Sequence, residues 1–267
     1  MLADDEFQWQ NRPTVDEVAQ RIWLRHRLLD LGYEPIPVCG KAPHIGGWSG
    51  ATLDKDRIFA WSTADYLLRP GNDHANTGLR TGKLVAVDID LLNPDHVAAV
   101  QEMVELALGQ SELQRRGSKG VMICYRLSQE PVGKIILSDR RDALERPKTL
   151  VEIFGRGGQF VAYGMHPDAL KPYEWLVAGY EPLLVPFEHL PPVTHDQISM
   201  LRDGLKELLS ALGYEVNVAA EKVPDGPPPT RGKVAHQRLY GDVYRPTARA
   251  ARIKWLGELH LSGLWMS

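Results

Sequence analysis

The stretch that decides the fold is LVAVDID, residues 84–90, the most apolar strand-like run of the 267-residue chain. Side chains along a β-strand alternate between its two faces. The three β-branched residues at alternate positions therefore share one face, whereas Asp88 and Asp90 share the other. The run predicts a strand whose one side is apolar and whose other side carries two carboxylates.

The segments around this run predict a fold of mixed helices and strands. Amphipathic or capped stretches predict helices over four ranges: 14–31, 54–67, 94–109 and 195–213. Runs rich in β-formers predict strands within 32–43 and over 121–127. Residues 149–164, TLVEIFGRGGQFVAYG, predict a β-hairpin, because two such runs flank a Gly-rich turn. This order favours an α+β sheet over a regular doubly wound repeat.

Composition excludes several classes of protein. With 43% hydrophobic and 24% charged residues, the chain is typical of a globular protein. Cys39 and Cys124 are too few for a disulfide framework, so a reduced, cytoplasmic protein is expected. No run approaches the roughly 20 apolar residues of a membrane span, so no membrane partner is expected. The net charge of −3 argues against a uniformly basic nucleic-acid binder.

The chain is expected to divide into three parts. Residues 1–193 form the main domain, residues 194–216 a helical extension, and residues 217–267 a Pro/Gly linker with a basic tail. Between residues 231 and 254 the tail carries many arginines and lysines against a single acid. We therefore expect a chain truncated before a further domain.

Three carboxylates are the main candidates for chemistry. Asp88 and Asp90 are near enough on one strand face to share a divalent cation. If the strand that carries Glu152 neighbours residues 84–90, the three carboxyl groups should meet near a common point. Such a cluster suits two Mg²⁺ or Mn²⁺ ions in phosphoryl transfer. The alternatives are an exposed Asp pair at a strand end and an exposed Glu152 paired with a lysine.

A basic turn, QRRGSKG at residues 114–120, is the second candidate feature. Its cationic side chains Arg115, Arg116 and Lys119, together with backbone N–H groups, suit a triphosphate, and a solvated basic turn is the alternative. A P-loop is excluded because the sequence has no GxxxxGK[ST] motif. His166 is a further candidate for a phosphate or nucleotide contact, with a structural histidine as its alternative.

Taken together, these segments resemble the catalytic domain of archaeo-eukaryotic-type primases, in the prim-pol branch of phage and plasmid replication proteins. GYEPIPVCGKAP, followed by GW, resembles that branch's opening "IP…K.P…W" segment. NTGLRTGKLVAVDID (76–90) is similar to its "G…TG…vvDiD" motif. TLVEIFGRGGQFVAYGMHPDALKPYEW (149–175) is similar to its "vEi.g.G.QfvayG.HP…pY.W" stretch. The resemblance spans about residues 24–190.

The resemblance implies an α+β primase-polymerase core, in which helices flank a mixed or antiparallel, RRM-like sheet. It makes Asp88, Asp90 and Glu152 the catalytic triad that binds two Mg²⁺ or Mn²⁺ ions. Many members have a histidine in the strand after the basic turn, where SKGVMICYR has none. Basic residues of the turn are expected to replace it. The residues expected at the incoming nucleotide are Arg80, Thr81, Arg116, Ser118, Lys119, Gln159 and His166.

The function that the resemblance implies is that of a DNA primase/polymerase, a nucleotidyltransferase of phage or plasmid replication. Its partners would be template and primer DNA, nucleoside triphosphates and a replicative helicase. One alternative is a catalytically silent nucleic-acid-binding replication module. Another is a metal-dependent phosphohydrolase or nuclease, although Leu91 and Leu92 stand where the haloacid-dehalogenase-type pattern needs a threonine or similar residue. Positive charge concentrated in residues 115–119 and beyond 231 is compatible with DNA binding despite the net charge.

Overall fold

The helices of the protein match the four helical segments expected from the sequence. The computed structural model describes residues 14–68, 76–116, 119–140 and 148–220. The helices in these ranges are α1 (Val15–Asp30), α2 (Lys55–Leu68), α3 (Pro94–Leu108) and α4 (His195–Ala211). A capping box begins α1, where Thr14 and Glu17 satisfy each other's backbone N–H groups. None of the described helices is long and apolar enough to cross a bilayer.

The strands of the described residues form two main sheets. In chain order they are β1 (Pro35–Val38), β2 (Asn76–Arg80), β3 (Leu84–Ile89), β4 (Gln114–Arg116), β5 (Val121–Leu127), β6 (Ile135–Asp139), β7 (Lys148–Phe154), β8 (Gln159–Tyr163), β9 (Met165–His166), β10 (Lys171–Pro172), β11 (Glu174–Trp175), β12 (Pro192–Val193) and β13 (Val216–Ala220). The large sheet has eight strands in the order β11-β4-β5-β3-β7-β6-β13, with β12 parallel to β5. The small sheet has the order β1-β2-β8 and is antiparallel. The α+β class is confirmed.

The prediction of a β-hairpin over residues 149–164 is wrong. Both of its strands form, but β7 pairs with β3 and β6 in the large sheet, whereas β8 pairs with β2 in the small sheet. The Gly-rich segment between them therefore crosses from one sheet to the other. Gly155 allows this crossing, because a Cβ there would lie 2.3 Å from the carbonyl oxygen of Val132.

The two faces of the large sheet bury two different cores. On one face, Val85, Val87 and Ile89 pack with the apolar sides of α3 and α4. On the other face, Ala86 and Met122 pack with residues of the small sheet and of α1. The alternation expected along residues 84–90 is confirmed, and the two aspartates lie on the side of the small sheet.

Residues 195–220 pack against the large sheet and its helix α3. The apolar side of α4 is buried in the core on α3, with Leu201, Leu205 and Leu209 fully inaccessible. After the turn at Gly213, β13 pairs with β6 over five residues. The strand Val216–Ala220 therefore lies at one edge of the large sheet. The basic tail lies outside the described residues.

Candidate active site

One row of side chains crosses four neighbouring strands of the large sheet on the face toward the small sheet. Arg115 on β4 lies opposite Met122 on β5, which lies opposite Asp88 on β3. Asp88 in turn lies opposite Glu152 on β7. Residues directly opposite in antiparallel strands have Cβ atoms about 4.5–5.5 Å apart and share a face. The expected adjacency of the two acidic strands is therefore confirmed, and the row joins two carboxylates to a guanidinium.

Asp90 extends the acidic end of this row. It follows β3 and stays in line with β7, because its N–H donates to the carbonyl oxygen of Leu150 at 2.9 Å. Its carboxylate forms an ion pair with Lys119, with 3.2 Å between Nζ and Oδ1. Lys119 is held there by the next residue, Gly120, where a Cβ would lie 1.7 Å from the carbonyl oxygen of Ile89. The glycine thus lets the basic turn close over the end of β3.

Glu152 lies in the middle of β7 and is mostly buried. Its side chain is 18% exposed and forms an ion pair with Lys134, which immediately precedes β6. Lys134 also lies over the ring of Phe154, with Nζ 5.5 Å from the ring centroid. The alternative for Glu152 is an exposed side chain paired with a lysine. The lysine partner is present, but the side chain of Glu152 is not exposed.

The electrostatics of the row disfavour ionised Asp88 in the absence of a bound cation. Burial raises the pKa of Asp88 to about 6, and the negative charges of Asp90 and Glu152 contribute to the rise. The positive charges of Arg115 and Lys41 act in the opposite direction. A carboxyl group in this environment gains stability when a cation binds beside it.

The donor chemistry of the three carboxylates suits Mg²⁺ or Mn²⁺, which prefer carboxylate oxygens. Their side chains, however, are not pre-assembled around an ion. Within the described residues, no group of three His, Cys, Asp or Glu side chains is placed to hold a metal. Asp90 and Glu152 pair instead with Lys119 and Lys134, and an ion would have to displace these ammonium groups.

A cationic wall faces the carboxylates. The guanidinium of Arg115 lies 4.3 Å from the ring centroid of Tyr173, and the imidazole of His166 lies 5.3 Å from the same ring. Lys41 forms an ion pair with Asp168 at 2.8 Å, where both side chains are largely exposed. We call Lys41, Arg115 and the neighbouring His166 the cationic wall. The positive charges of Lys41 and Arg115 act on Asp88, whereas His166 contributes an N–H donor.

His166 is held as a neutral hydrogen-bond donor. The backbone N–H groups of Asp168 and Ala169 both donate to its Nδ1, at 3.2 and 3.1 Å. Because Nδ1 accepts, the proton of the neutral ring lies on Nε2. Burial lowers the pKa of His166, and the positive charge of Lys41 lowers it further. The ring can therefore donate one hydrogen bond through Nε2 without carrying charge.

Residues 25–193 match the model of the family described as the N-terminal domain of bifunctional DNA primase/polymerase, or Prim-Pol. The match begins within α1, ends with β12 and covers more than half of the chain. The chain belongs to the Prim-Pol family. A search among curated proteins returns no match. The resemblance stated from the sequence motifs is confirmed, and membership of the family indicates DNA primase/polymerase function with nucleotide and nucleic-acid substrates.

Two residues expected at the nucleotide of this Prim-Pol domain, Arg80 and Thr81, make contacts within the protein. The guanidinium of Arg80 forms an ion pair with Glu34 at 2.8 Å and donates to carbonyl groups of the 48–51 loop at 2.9 and 2.7 Å. It lines a cleft of about 460 Å³ beside the C-terminal end of α1. Thr81 is buried and donates to the carbonyl oxygen of Gly155 at 2.6 Å. Both residues thus hold loops in place.

The other expected nucleotide contacts of the Prim-Pol domain are distributed around the row. Gln159 donates to the carbonyl oxygen of Lys41 at 2.7 Å, which anchors one member of the cationic wall. Arg116 is exposed on β4, on the opposite side of the strand from Arg115. Ser118 lies outside the described residues. Lys119 lies at the acidic end of the row, and His166 belongs to the cationic wall.

One positioning residue of the Prim-Pol domain was missed at the level of sequence. The buried amide of Asn76 on β2 donates through Nδ2 to the carbonyl oxygens of Gly40 and Met165, both at 2.8 Å. Its Oδ1 accepts from the N–H of Met165 at 2.9 Å. Asn76 thereby fixes the segments that carry Lys41 and His166. Nothing in the turn-like sequence around it indicates these distant partners.

Proposed function

We propose that this Prim-Pol domain catalyses template-directed nucleotidyl transfer with two divalent cations. The single observation that carries the proposal is the direct opposition of Asp88 and Glu152 on neighbouring strands, with Asp90 at the end of the same face. Carboxylates in such a position, facing a cationic wall, suit a reaction that handles both metal ions and phosphates.

The proposed reaction joins a nucleotide to DNA. The 3′-hydroxyl oxygen of a primer forms a bond to the α-phosphorus of a nucleoside triphosphate, and the hydroxyl proton passes to solvent. The bond from that phosphorus to the bridging oxygen breaks, which releases pyrophosphate. Asp88, Asp90 and Glu152 would hold Mg²⁺ or Mn²⁺. When bound, the ions lower the pKa of the attacking hydroxyl and neutralise charge on the leaving group. No side chain serves as a covalent nucleophile.

The remaining polar residues have matching roles in the proposal. The ammonium group of Lys119, released from Asp90 when the carboxylate takes an ion, would be free to bind a phosphate. His166 would donate its Nε2–H to a phosphate oxygen without exchanging a proton. Arg116, exposed on β4, is available to DNA phosphates. Charge that develops on the phosphates during transfer is thereby stabilised by fixed donors.

A catalytically silent nucleic-acid-binding replication module is the second candidate. Two observations favour it. Lysines already neutralise Asp90 and Glu152, and the strand position opposite Asp88 is Met122 rather than a histidine. In this case the domain would bind DNA and nucleotides but would not join them.

Primer extension separates these candidates. The full chain is incubated with a primed template, dNTPs and Mn²⁺, alongside Asp88→Asn and Glu152→Gln. We expect extension by the wild type and a loss of at least about 100-fold in both variants, because the metal contribution amounts to several kcal/mol. Glu102→Gln, an exposed acid on α3, is the control and should extend at the wild-type rate.

Three results would contradict the proposal. DNA binding without extension by the wild type would favour the silent module. Degradation of the DNA would favour a metal-dependent nuclease. Unchanged extension by Asp88→Asn would reject the assignment of the triad.

We also propose that the domain acts in the replication of a phage or plasmid genome in the cytoplasm, with a replicative helicase as partner. The support is the resemblance of the motifs to that branch of the family. Co-purification of the full chain with the helicase of the same replicon tests the partner, and the absence of a complex would contradict it.

A further inference from the structure

A short β-ribbon adjoins the candidate active site. Its strands, β9 and β10, pair so that His166 lies opposite Lys171 and Met165 lies opposite Pro172. Residues directly opposite one another in antiparallel strands share a face, and consecutive residues point to opposite faces. One face of the ribbon therefore carries the imidazole of the cationic wall and an exposed ammonium group. The other face carries two exposed apolar side chains, Met165 and Pro172.

Leu170, in the turn of this ribbon, combines two unfavourable features. Its φ is 50°, in the left-handed region where the Cβ of an L-residue is crowded, and no other non-glycine residue of the described ranges has a positive φ. Its side chain is 77% exposed, so the cost of the backbone is not offset by apolar burial. An asparagine or a glycine would fit this backbone better and would leave no apolar surface in water. The presence of a leucine therefore points to a partner that covers it.

Hydrogen bonds hold the turn in this conformation. The N–H of Leu170 donates to the carbonyl oxygen of His166 at 2.9 Å, and two further backbone N–H groups of the turn donate to Nδ1 of the same histidine. At the base of the ribbon, the N–H of Tyr173 donates to the carbonyl oxygen of Gly164 at 3.0 Å. The exposed leucine is thus fixed in place before a partner binds, which lowers the entropic cost of binding.

The charges around the turn select the chemistry of that partner. The acid of the turn, Asp168, is paired with Lys41 at 2.8 Å. Lys171 is exposed beside them, across the ribbon from the imidazole N–H donor. Exposed apolar groups next to positive charge complement a single nucleic-acid strand, which offers base faces beside phosphates. Leucine, methionine and proline are among the side chains that proteins insert between bases.

We propose that residues 165–172 form a contact surface for single-stranded template DNA. Leu170 and Met165 pack against its bases, and Lys171 binds a phosphate. The template as the source of the strand rests on the proposed function. The binding of a single strand itself rests on the exposed apolar turn, its left-handed backbone and the neighbouring lysine, none of which takes part in the proposed metal chemistry.

Fluorescence anisotropy of a labelled single-stranded oligonucleotide with the full chain, in EDTA and without nucleotide, tests this proposal. We expect Leu170→Asn to bind about fivefold or more weakly than the wild type, because it loses the base contact while asparagine accepts the left-handed backbone. Leu170→Met keeps an apolar side chain and should bind within about twofold of the wild type. Leu106→Asn, which replaces an exposed leucine of α3 on the other side of the large sheet, is the matched control and should bind like the wild type.

The salt dependence of the same binding tests the phosphate contact of Lys171. One lost contact to a single strand should reduce the slope of log K against log salt concentration by about 0.7 in Lys171→Gln. Lys206→Gln, which removes an exposed lysine of α4, is the control and should keep the wild-type slope. Equal slopes in the two variants would overturn the assignment of Lys171.

Three outcomes overturn the role of Leu170. The first is wild-type affinity of Leu170→Asn for the oligonucleotide. The second is a melting temperature of Leu170→Asn well below that of the wild type, which would show that the leucine stabilises the fold. The third is a loss confined to blunt-ended duplex DNA. Because no step of the test measures DNA synthesis, an inactive wild type whose single-strand binding depends on Leu170 would reject the proposed function alone.

Discussion

The two faces of the large sheet are built from the same strands but carry different kinds of side chain. On the helix side, Val87 and its neighbours are inaccessible and purely apolar. On the side of the small sheet, the same strands carry Asp88, Glu152 and Arg115 in one row. Among the described residues, the core on the helix side is apolar, whereas the other side holds carboxylates paired with lysines and a guanidinium with two unpartnered nitrogens.

This difference indicates which side stabilises the fold and which side serves a ligand. Apolar burial on the helix side stabilises the fold whether or not a ligand is bound. The carboxylate side is partly destabilising, since burial and like charges raise the pKa of Asp88 to about 6. Strain of this kind is typical of sites that bind charged ligands. The most direct test of this difference is therefore to add a charge to the helix side and to remove a charge from the carboxylate side.

The largest effect is expected when a charge is placed on the helix side. Val87→Asp should lower the free energy of unfolding by about 4 kcal/mol or more, because the carboxylate would be buried among apolar side chains with no partner. Urea unfolding followed by circular dichroism measures this loss. Val87→Ala is the control and should cost about 1–3 kcal/mol. A Val87→Asp protein as stable as the wild type would reject the division between the faces.

A smaller effect of the opposite sign is expected when a charge is removed from the other side. Asp88→Asn should raise the free energy of unfolding in EDTA by about 1–2 kcal/mol, because a neutral amide avoids both the burial cost and the repulsion by Asp90 and Glu152. Urea unfolding measures the gain, with Glu102→Gln as a control that should change it by less than about 0.5 kcal/mol. A destabilised Asp88→Asn would contradict this account of the row.

The smallest effect concerns the pH dependence of stability at His166. Burial and the positive charges of Lys41 and Arg115 lower its pKa, against the opposing effect of Asp168. The unfolded chain then binds more protons than the folded chain once the pH falls toward the unfolded value of about 6.5, so stability is lost as the pH falls. His166→Asn, whose Oδ1 can accept in place of Nδ1, should reduce the difference in unfolding free energy between pH 7.5 and 5.5.

A second histidine sharpens that measurement. His26 is partly buried, burial lowers its pKa, and it should keep its own contribution in the His166→Asn protein. A pH dependence that is identical in the wild type and His166→Asn would show that His166 does not carry the effect.

Local patterns correctly predicted the four helices and the strands over residues 84–90 and 121–127. The capping residues of α1 and the alternation along residues 84–90 depend only on neighbours in the chain. Residues 149–164 show where this reasoning fails. Two β-rich runs around glycines have the pattern of a hairpin. In the structure, however, β7 pairs with β3 and β8 pairs with β2, so the two strands lie in different sheets.

The two arginines of the basic turn show the same limit within the site. Arg115 and Arg116 are adjacent and chemically identical, and β4 is too short for its sequence to indicate which residue faces the carboxylates. Pairing with β5 decides this, because Arg115 lies opposite Met122 in the row that contains Asp88. Lys134 and Asn76 are likewise distant in sequence from the groups that they contact.

The sequence by itself determined the α+β class, the apolar and acidic sides of β3, and a resemblance strong enough to identify the Prim-Pol family. These features arise from periodicity and motif, which are local. Only the tertiary structure decided that β7 and β8 part into two sheets, that lysines occupy two of the three carboxylates, and that Arg115 rather than Arg116 faces them. These features depend on strand register and on charges brought together from distant segments, and neither is encoded in the spacing of neighbouring residues.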